Sequence, residues 1–233
     1  MPAAPRHGHD TIVVALQTDD LVVIDKPAGL LSVPGKGREK ADCAVARVAR
    51  AFPHATGPLV VHRLDMDTSG LLLLALNEDT QRALSAQFER REVRKRYAAL
   101  VDGLVMHARE GTIDLPLRLD PERRPFQVAD HWQGRPATTR WRLLAHETDR
   151  TRLDLEPLTG RSHQLRVHCA TPLDRAGLGH GILGDVLYGS GYTSPDHPGE
   201  RHPAPRLMLH ATELSFTDPR TGGRLHATSA APF

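Results

Sequence analysis

The pattern of apolar and polar positions breaks the chain into many short elements. Thr11 to Ala15 and Leu21 to Asp25 are β-branched, apolar runs separated by polar residues, and they predict two short strands. Lys26-Pro27-Ala28-Gly29 forces a turn after them, and Pro34-Gly35-Lys36-Gly37 forces a second. In Ala41 to Phe52 the residues Val45, Val48 and Phe52 fall near helical spacing, and Pro53 stops the run. Val60-Val61 and Leu71 to Leu76 read as buried strands around a polar insertion, His62 to Gly70. Asn77 is an N-cap for a helix through Arg90, with Leu84 and Phe88 one turn apart. Tyr97 to Val101 predicts a strand, as do the alternating Thr139, Trp141 and Leu143, and Leu153 with Leu155. Ser162 to Ala170 predicts a short helix, and Leu214 and Phe216 lead into a hairpin turn at Asp218 to Gly223.

Short strands with few helices, outside regular βαβ alternation, predict an α+β fold with a mixed, largely antiparallel sheet. Residues 1–10 read as a flexible tail and residues 11–233 as one domain, a length sufficient for a sizeable core. The longest apolar run, Leu71 to Leu76, is far too short to span a bilayer, and Met1 to Asp10 carries no apolar segment of the signal-peptide kind. A cytoplasmic protein without membrane association is expected. The two cysteines, Cys43 and Cys169, exclude a disulfide scaffold and a Cys-rich zinc site. His163 and His168 are five apart and share no helix face, so no metal is expected. No glycine-rich dinucleotide or P-loop pattern is present, so no nucleotide cofactor is expected either.

Charge alone says little, because 30 basic residues against 28 acidic ones leave a net of +2. Only Lys26, Lys36, Lys40 and Lys95 are lysines, and the remaining basic residues are arginines, whose flat fork grips phosphate at two points. Three local clusters carry more. His62-Arg63-Leu64-Asp65-Met66-Asp67-Thr68-Ser69-Gly70 lies between apolar runs. A carboxylate there loses water and needs a cation to remain ionised, which makes it a nucleophile or base. The alternative is a turn in which Asp65 or Asp67 caps backbone amides. In the second cluster Thr159-Gly160 opens a helix whose amides attract anions, and Arg161, Gln164 and Leu165 share one helical face. The third, Phe88 to Tyr97, holds five basic residues against two acidic ones and ends in an aromatic ring, a combination suited to RNA.

Together these segments resemble the RluA family of pseudouridine synthases. His62 to Gly70 matches the family's H-R-L-D-x-x-T-S-G block, Lys95-Arg96-Tyr97 its K-x-Y, and Gly160 to Arg166 its G-R-x-H-Q-L-R. The likeness extends to Asp25 through Gly35, to Leu183-Gly184-Asp185, and to Leu207 through Ala211, and so covers nearly the whole chain after residue 20. The short N-terminus leaves no room for the family's S4-like domain. Ser32 to Gly35 and Asp114 to Leu117 favour the dual-specificity branch.

The resemblance implies isomerisation of uridine in structured RNA, both 23S rRNA and a tRNA anticodon stem-loop, by a monomer without cofactor. The N1–C1′ bond breaks and C5 is joined to C1′. Asp65 is then the catalytic carboxylate, attacking C1′ or removing a sugar proton, with Arg161 as the partner that keeps it ionised. Tyr97 packs on the uracil and takes the C5 proton. Flipping the base costs a few kcal/mol, of which stacking on Tyr97 offsets roughly 1–3 kcal/mol. Arg63, His62, Gln164 and Leu209 form the expected substrate-binding set: Arg63 fills the gap left by the base, Leu209 walls the pocket, and His62 shapes the Asp65 turn with Thr68 and Ser69. Two departures from the family, a longer Thr171 to Gly177 segment and Gly181 in place of proline, bear on RNA choice. The rivals are a synthase with another rRNA target, an RNA-binding assembly factor, and a glycoside hydrolase using Asp65 and Asp67. The last fits poorly, because saccharide sites usually present aromatic platforms and aromatic residues make up only 4% of this chain.

Overall fold

A computed structural model of the protein describes residues 12–233, so the expected tail and Thr11 lie outside the described residues. The central element is β3 (Ser69–Ala75), whose seven residues are all buried, as its unbroken apolar run requires. β2 (Leu21–Lys26) lies antiparallel to it, with β1 (Val13–Gln17) outside β2. On the other edge β3 pairs in parallel with β10 (Leu209–Thr217), at Ser69 and Gly70. β4 (Arg94–Asp102), β9 (Arg150–Pro157), β8 (Thr138–His146) and β5 (Glu110–Asp114) then follow in antiparallel order. β11 (Arg224–Thr228) closes the expected hairpin on β10. A separate pair, β6 (Leu117–Leu119) and β7 (Gln127–Ala129), stands beside this sheet. The architecture is the expected mixed, mainly antiparallel α+β.

The helices are few. α1 (Ala44–Ala51) is capped by Cys43 Sγ, and α2 (Glu78–Glu89) by Asn77, whose Oδ1 accepts from Thr80 N at 2.9 Å. No helix of the described residues is long and apolar enough to cross a membrane. α3 (Gln164–Ala170) is buried at every position.

Three expectations change. Val60 and Val61 form no strand: Val60 makes a single bridge to Leu74, while β10 takes the same edge of β3 at Ser69 and Gly70. α3 begins at Gln164, not at Ser162, because His163 is left-handed (φ 53°). Thr159-Gly160 therefore opens no helix. The segment after α3 is a short 3-10 turn, Leu173–Arg175, folded back on the helix end. Leu178 N donates to His168 O and His180 N to Cys169 O (both 2.9 Å), which satisfies carbonyls that the helix leaves open. Gly181 N donates to Ser190 Oγ at 2.6 Å, a bond that proline lacks the hydrogen to make.

Candidate active site

The Asp65 turn is held from all sides. Lys26 ends β2 fully buried, and its Nζ donates to Leu30 O (2.7 Å), Met66 O (2.9 Å) and Pro27 O (3.0 Å). Burial pushes this lysine down to about 8, against the opposing charges of Asp67 and Asp65. Ser32 Oγ donates to Leu64 O (2.7 Å) and accepts from Leu64 N (3.0 Å). Gly29, at φ 79°, donates its N–H to Met66 O at 2.9 Å. The Lys26 to Ser32 turn is thus a cradle for the turn that carries Asp65. Beyond Asp65, Ser69 Oγ hydrogen-bonds His210 Nδ1 at 2.7 Å on β10 and accepts from Arg206. Gly70 is required at the next position: at φ 105°, a Cβ there would lie 2.3 Å from Ala211 O.

The cation facing Asp65 is Arg166, with Nη1 3.7 Å from Oδ2. This corrects the expectation for Arg161, which lies outside the helix on the cleft rim and donates Nε to Pro136 O at 3.0 Å. Arg166 is only 3% exposed. Its Nε and Nη2 each bond Asp185 at 2.7 Å, and its guanidinium lies 5.2 Å over the Tyr188 ring. Burial opposes the Arg166 charge, but the bonds to Asp185 and the charges of Asp185 and Asp65 hold it above its ordinary value. Asp185 Oδ1 also accepts from Leu187 N (2.8 Å) and Tyr188 N (3.1 Å), and Tyr188 Oη meets His163 Nδ1 at 2.6 Å. The side chain of Asp65 keeps 28% of its surface open, so it is both paired and reachable.

Asp65, Tyr97, Arg161, Arg63 and Leu209 line one cleft of about 1400 Å³. That is more than one nucleoside fills. Tyr97 is buried on β4, and burial together with the charge of Asp65 pushes its phenol well above the usual value, so the ring stays neutral. Lys95 also lines the cleft, pushed down to about 8 by burial. Among the described residues, eight basic side chains line the cleft against three acidic ones, an excess that the chain's net charge conceals.

Two further members of the expected binding set, His62 and Gln164, line the same cleft and also hold its framework. His62 Nε2 accepts from Leu73 N at 3.0 Å and its ring stacks on Phe88, with centroids 4.6 Å apart. Its desolvated imidazole is pushed down to about 3, with Lys95 adding to the effect. Gln164 is buried; its amide donates to Thr138 O and Thr139 Oγ1 and accepts from Thr159 Oγ1 and Arg161 N. It shapes the loop that presents Arg161. The basic cluster at Arg90 to Arg96 also divides. Arg90 pairs with Glu92, Arg94 with Glu156 and Arg96 with Asp154, while Arg91 and Lys95 line the cleft. The Thr171 to Gly177 segment contributes nothing to its lining.

Comparison with known proteins agrees with this geometry. The family model "RNA pseudouridylate synthase" matches residues 20–171. A protein of Escherichia coli strain K12, named dual-specificity RNA pseudouridine synthase RluA, is 43% identical over 95% of this chain and 94% of its own. Its namesake from Yersinia pestis is 41% identical over 95% and 100%. Among solved structures, human RNA pseudouridylate synthase domain containing 1 superposes with a TM-score of 0.73 at 28% identity, covering 99% of this chain and 87% of that one. With its motifs in one cleft and its relatives matched over nearly their full lengths, the chain belongs to the RNA pseudouridylate synthase family and is a pseudouridine synthase.

Proposed function

We propose that Asp65 is the catalytic carboxylate and that the enzyme serves two RNA classes, 23S rRNA and a tRNA anticodon stem-loop. The relatives' dual-specificity names and the sequence resemblance support the choice of substrates. The observation that carries the assignment is the Asp65–Arg166–Asp185 chain at the base of a basic cleft. Arg166 rather than Arg161 is the cation that faces the Asp65 carboxylate, the group that attacks C1′ or removes a sugar proton. Tyr97 is the stacking face for the extruded uracil and Leu209 the wall behind it. A neutral Tyr97 can accept the C5 proton only by passing on its own, and Asp65, freed from the sugar, is the neighbouring carboxylate able to receive it. Arg63 is exposed at the cleft and fills the stack that the base vacates. Arg161 binds backbone phosphate at the rim. We read residues 12–233 as one catalytic unit, because β10 near the C-terminus is seated between β3 and β4. It acts as a cytoplasmic monomer without cofactor.

Tritium release from 5-tritiated RNA of a deletion strain tests the chemistry. Asp65→Asn binds that RNA and releases nothing, whereas full release removes Asp65 from its role. Tyr97→Phe binds normally and turns over at least tenfold slower; equal rates refute the relay. Pseudouridine mapping in rRNA and tRNA of the same strain tests the targets, and loss at one rRNA site alone refutes dual specificity.

A further inference from the structure

Of the ten aromatic residues, two Trp, three Tyr and five Phe, only Trp132 stands exposed, at 96%. The other tryptophan, Trp141, is 6% exposed in the core. We propose that Trp132 is an outer stacking platform for an unpaired base of the RNA, adjoining the cleft that receives the target uridine. The proposal rests on the family's RNA substrate and adds a contact outside the catalytic cleft.

The turn that carries the ring is closed by hydrogen bonds. Asp130 Oδ1 accepts from Trp132 N (2.8 Å) and Gln133 N (3.0 Å), Asp130 O accepts from Gly134 N (2.9 Å), and Asp130 Oδ2 accepts from Arg118 Nε (2.7 Å). The turn is closed so tightly that a Cβ on Gly134 would lie 2.1 Å from Asp130 O. An indole held on such a turn loses little backbone freedom when a base settles on it.

The platform also lies beside the charges that RNA needs. Arg135, three residues on and therefore within about 11 Å along the chain, lines the cleft together with Arg124. Its backbone is tied to Leu117 by two hydrogen bonds of 2.8 and 3.0 Å, and the next carbonyl, Pro136 O, receives Arg161 Nε. Neither Arg124 nor Arg135 makes an ion pair among the described residues. An open ring three residues from Arg135, on a cleft that also presents Arg124, matches a single-stranded nucleotide, whose phosphate and base face offer the complementary surfaces. A duplex hides its base faces, so the occupant is a loop nucleotide flanking the target.

The test uses the full-length enzyme and an anticodon stem-loop transcript that the wild type isomerises. Trp132→Ala weakens binding about 5- to 100-fold, the range for loss of one stacked base. Its kcat at saturating RNA stays within twofold, and Trp132→Phe keeps most of the affinity. Stacking carries no counterion release, so the slope of log Kd against log salt matches that of the wild type. In fluorescence, wild type minus Trp132→Phe shows quenching on adding the stem-loop, and none on adding a blunt duplex. If wild type turns over normally while Trp132→Ala binds equally well and the Trp132 signal does not respond to RNA, the proposal is refuted and the face belongs to another partner. If the wild type isomerises no RNA, the family reading fails instead.

Discussion

Asp185→Asn isolates the charge that sustains Arg166. Asparagine Oδ1 still accepts from Leu187 N and Tyr188 N, so the local turn survives. Arg166 and Asp185 are 3% and 4% exposed, and removing one partner of such a buried pair costs about 3–5 kcal/mol. For a domain of this size that is a fall in Tm of about 6–20 °C. Urea unfolding measures it, with an unchanged m-value excluding a change in the unfolded state. Adding Arg166→Met removes the stranded cation and returns at least about 2 kcal/mol, because apolar replacement of buried pairs is near neutral. Activity does not return. At 3.7 Å and an effective dielectric of about 20, Arg166 and Asp65 interact by about 4.5 kcal/mol. The partial exposure of Asp65 reduces this to about 2 kcal/mol, or roughly 30-fold in kcat. A loss of stability below about 1 kcal/mol in Asp185→Asn, or wild-type turnover in the double variant, refutes the reasoning.

Gly70→Ala meets the backbone of Ala211 at positive φ and loses more than about 2 kcal/mol, read as a lower melting temperature; an unchanged one contradicts the geometry. Acid stability follows from histidines folded in the neutral form. His62 and His168 are pushed down to about 3 and 4 by burial, below the unfolded value of 6.5, so the unfolded chain takes up protons first. Stability is therefore intact above pH 6.5 and falls as pH drops toward 4, by about 1.4 kcal/mol per pH unit per histidine. A flat melting temperature across that window contradicts it, and His62→Phe makes the slope shallower by one proton. Arg124→Gln lowers the salt slope of RNA binding by about 1 and leaves kcat at saturation unchanged, as a phosphate contact requires; an unaltered slope removes Arg124 from the interface.

What the sequence made legible was chemistry local to it. Asn77 caps α2 because cap and amide lie three residues apart, and the Asp65 block stands out because charge interrupts two apolar runs. Where partners lie far along the chain, composition misleads. Arg94 and Arg96 belong to a basic run suited to RNA, but strand register sets them against Glu156 and Asp154 of β9. Lys26 read only as part of a turn, although a lysine ending an apolar strand before proline marks a buried cation with carbonyls to hold. Arg161 misses the carboxylate for a finer reason. A helix starting at Ser162 would put Arg161 at its mouth, facing the carboxylate. The left-handed His163 delays the helix to Gln164, leaves Arg161 on the rim and turns Arg166 inward. One backbone dihedral thus decides which arginine of the motif meets Asp65. That dihedral is stabilised by the His163–Tyr188 hydrogen bond, between residues 25 positions apart, and no reading of the motif alone contains it.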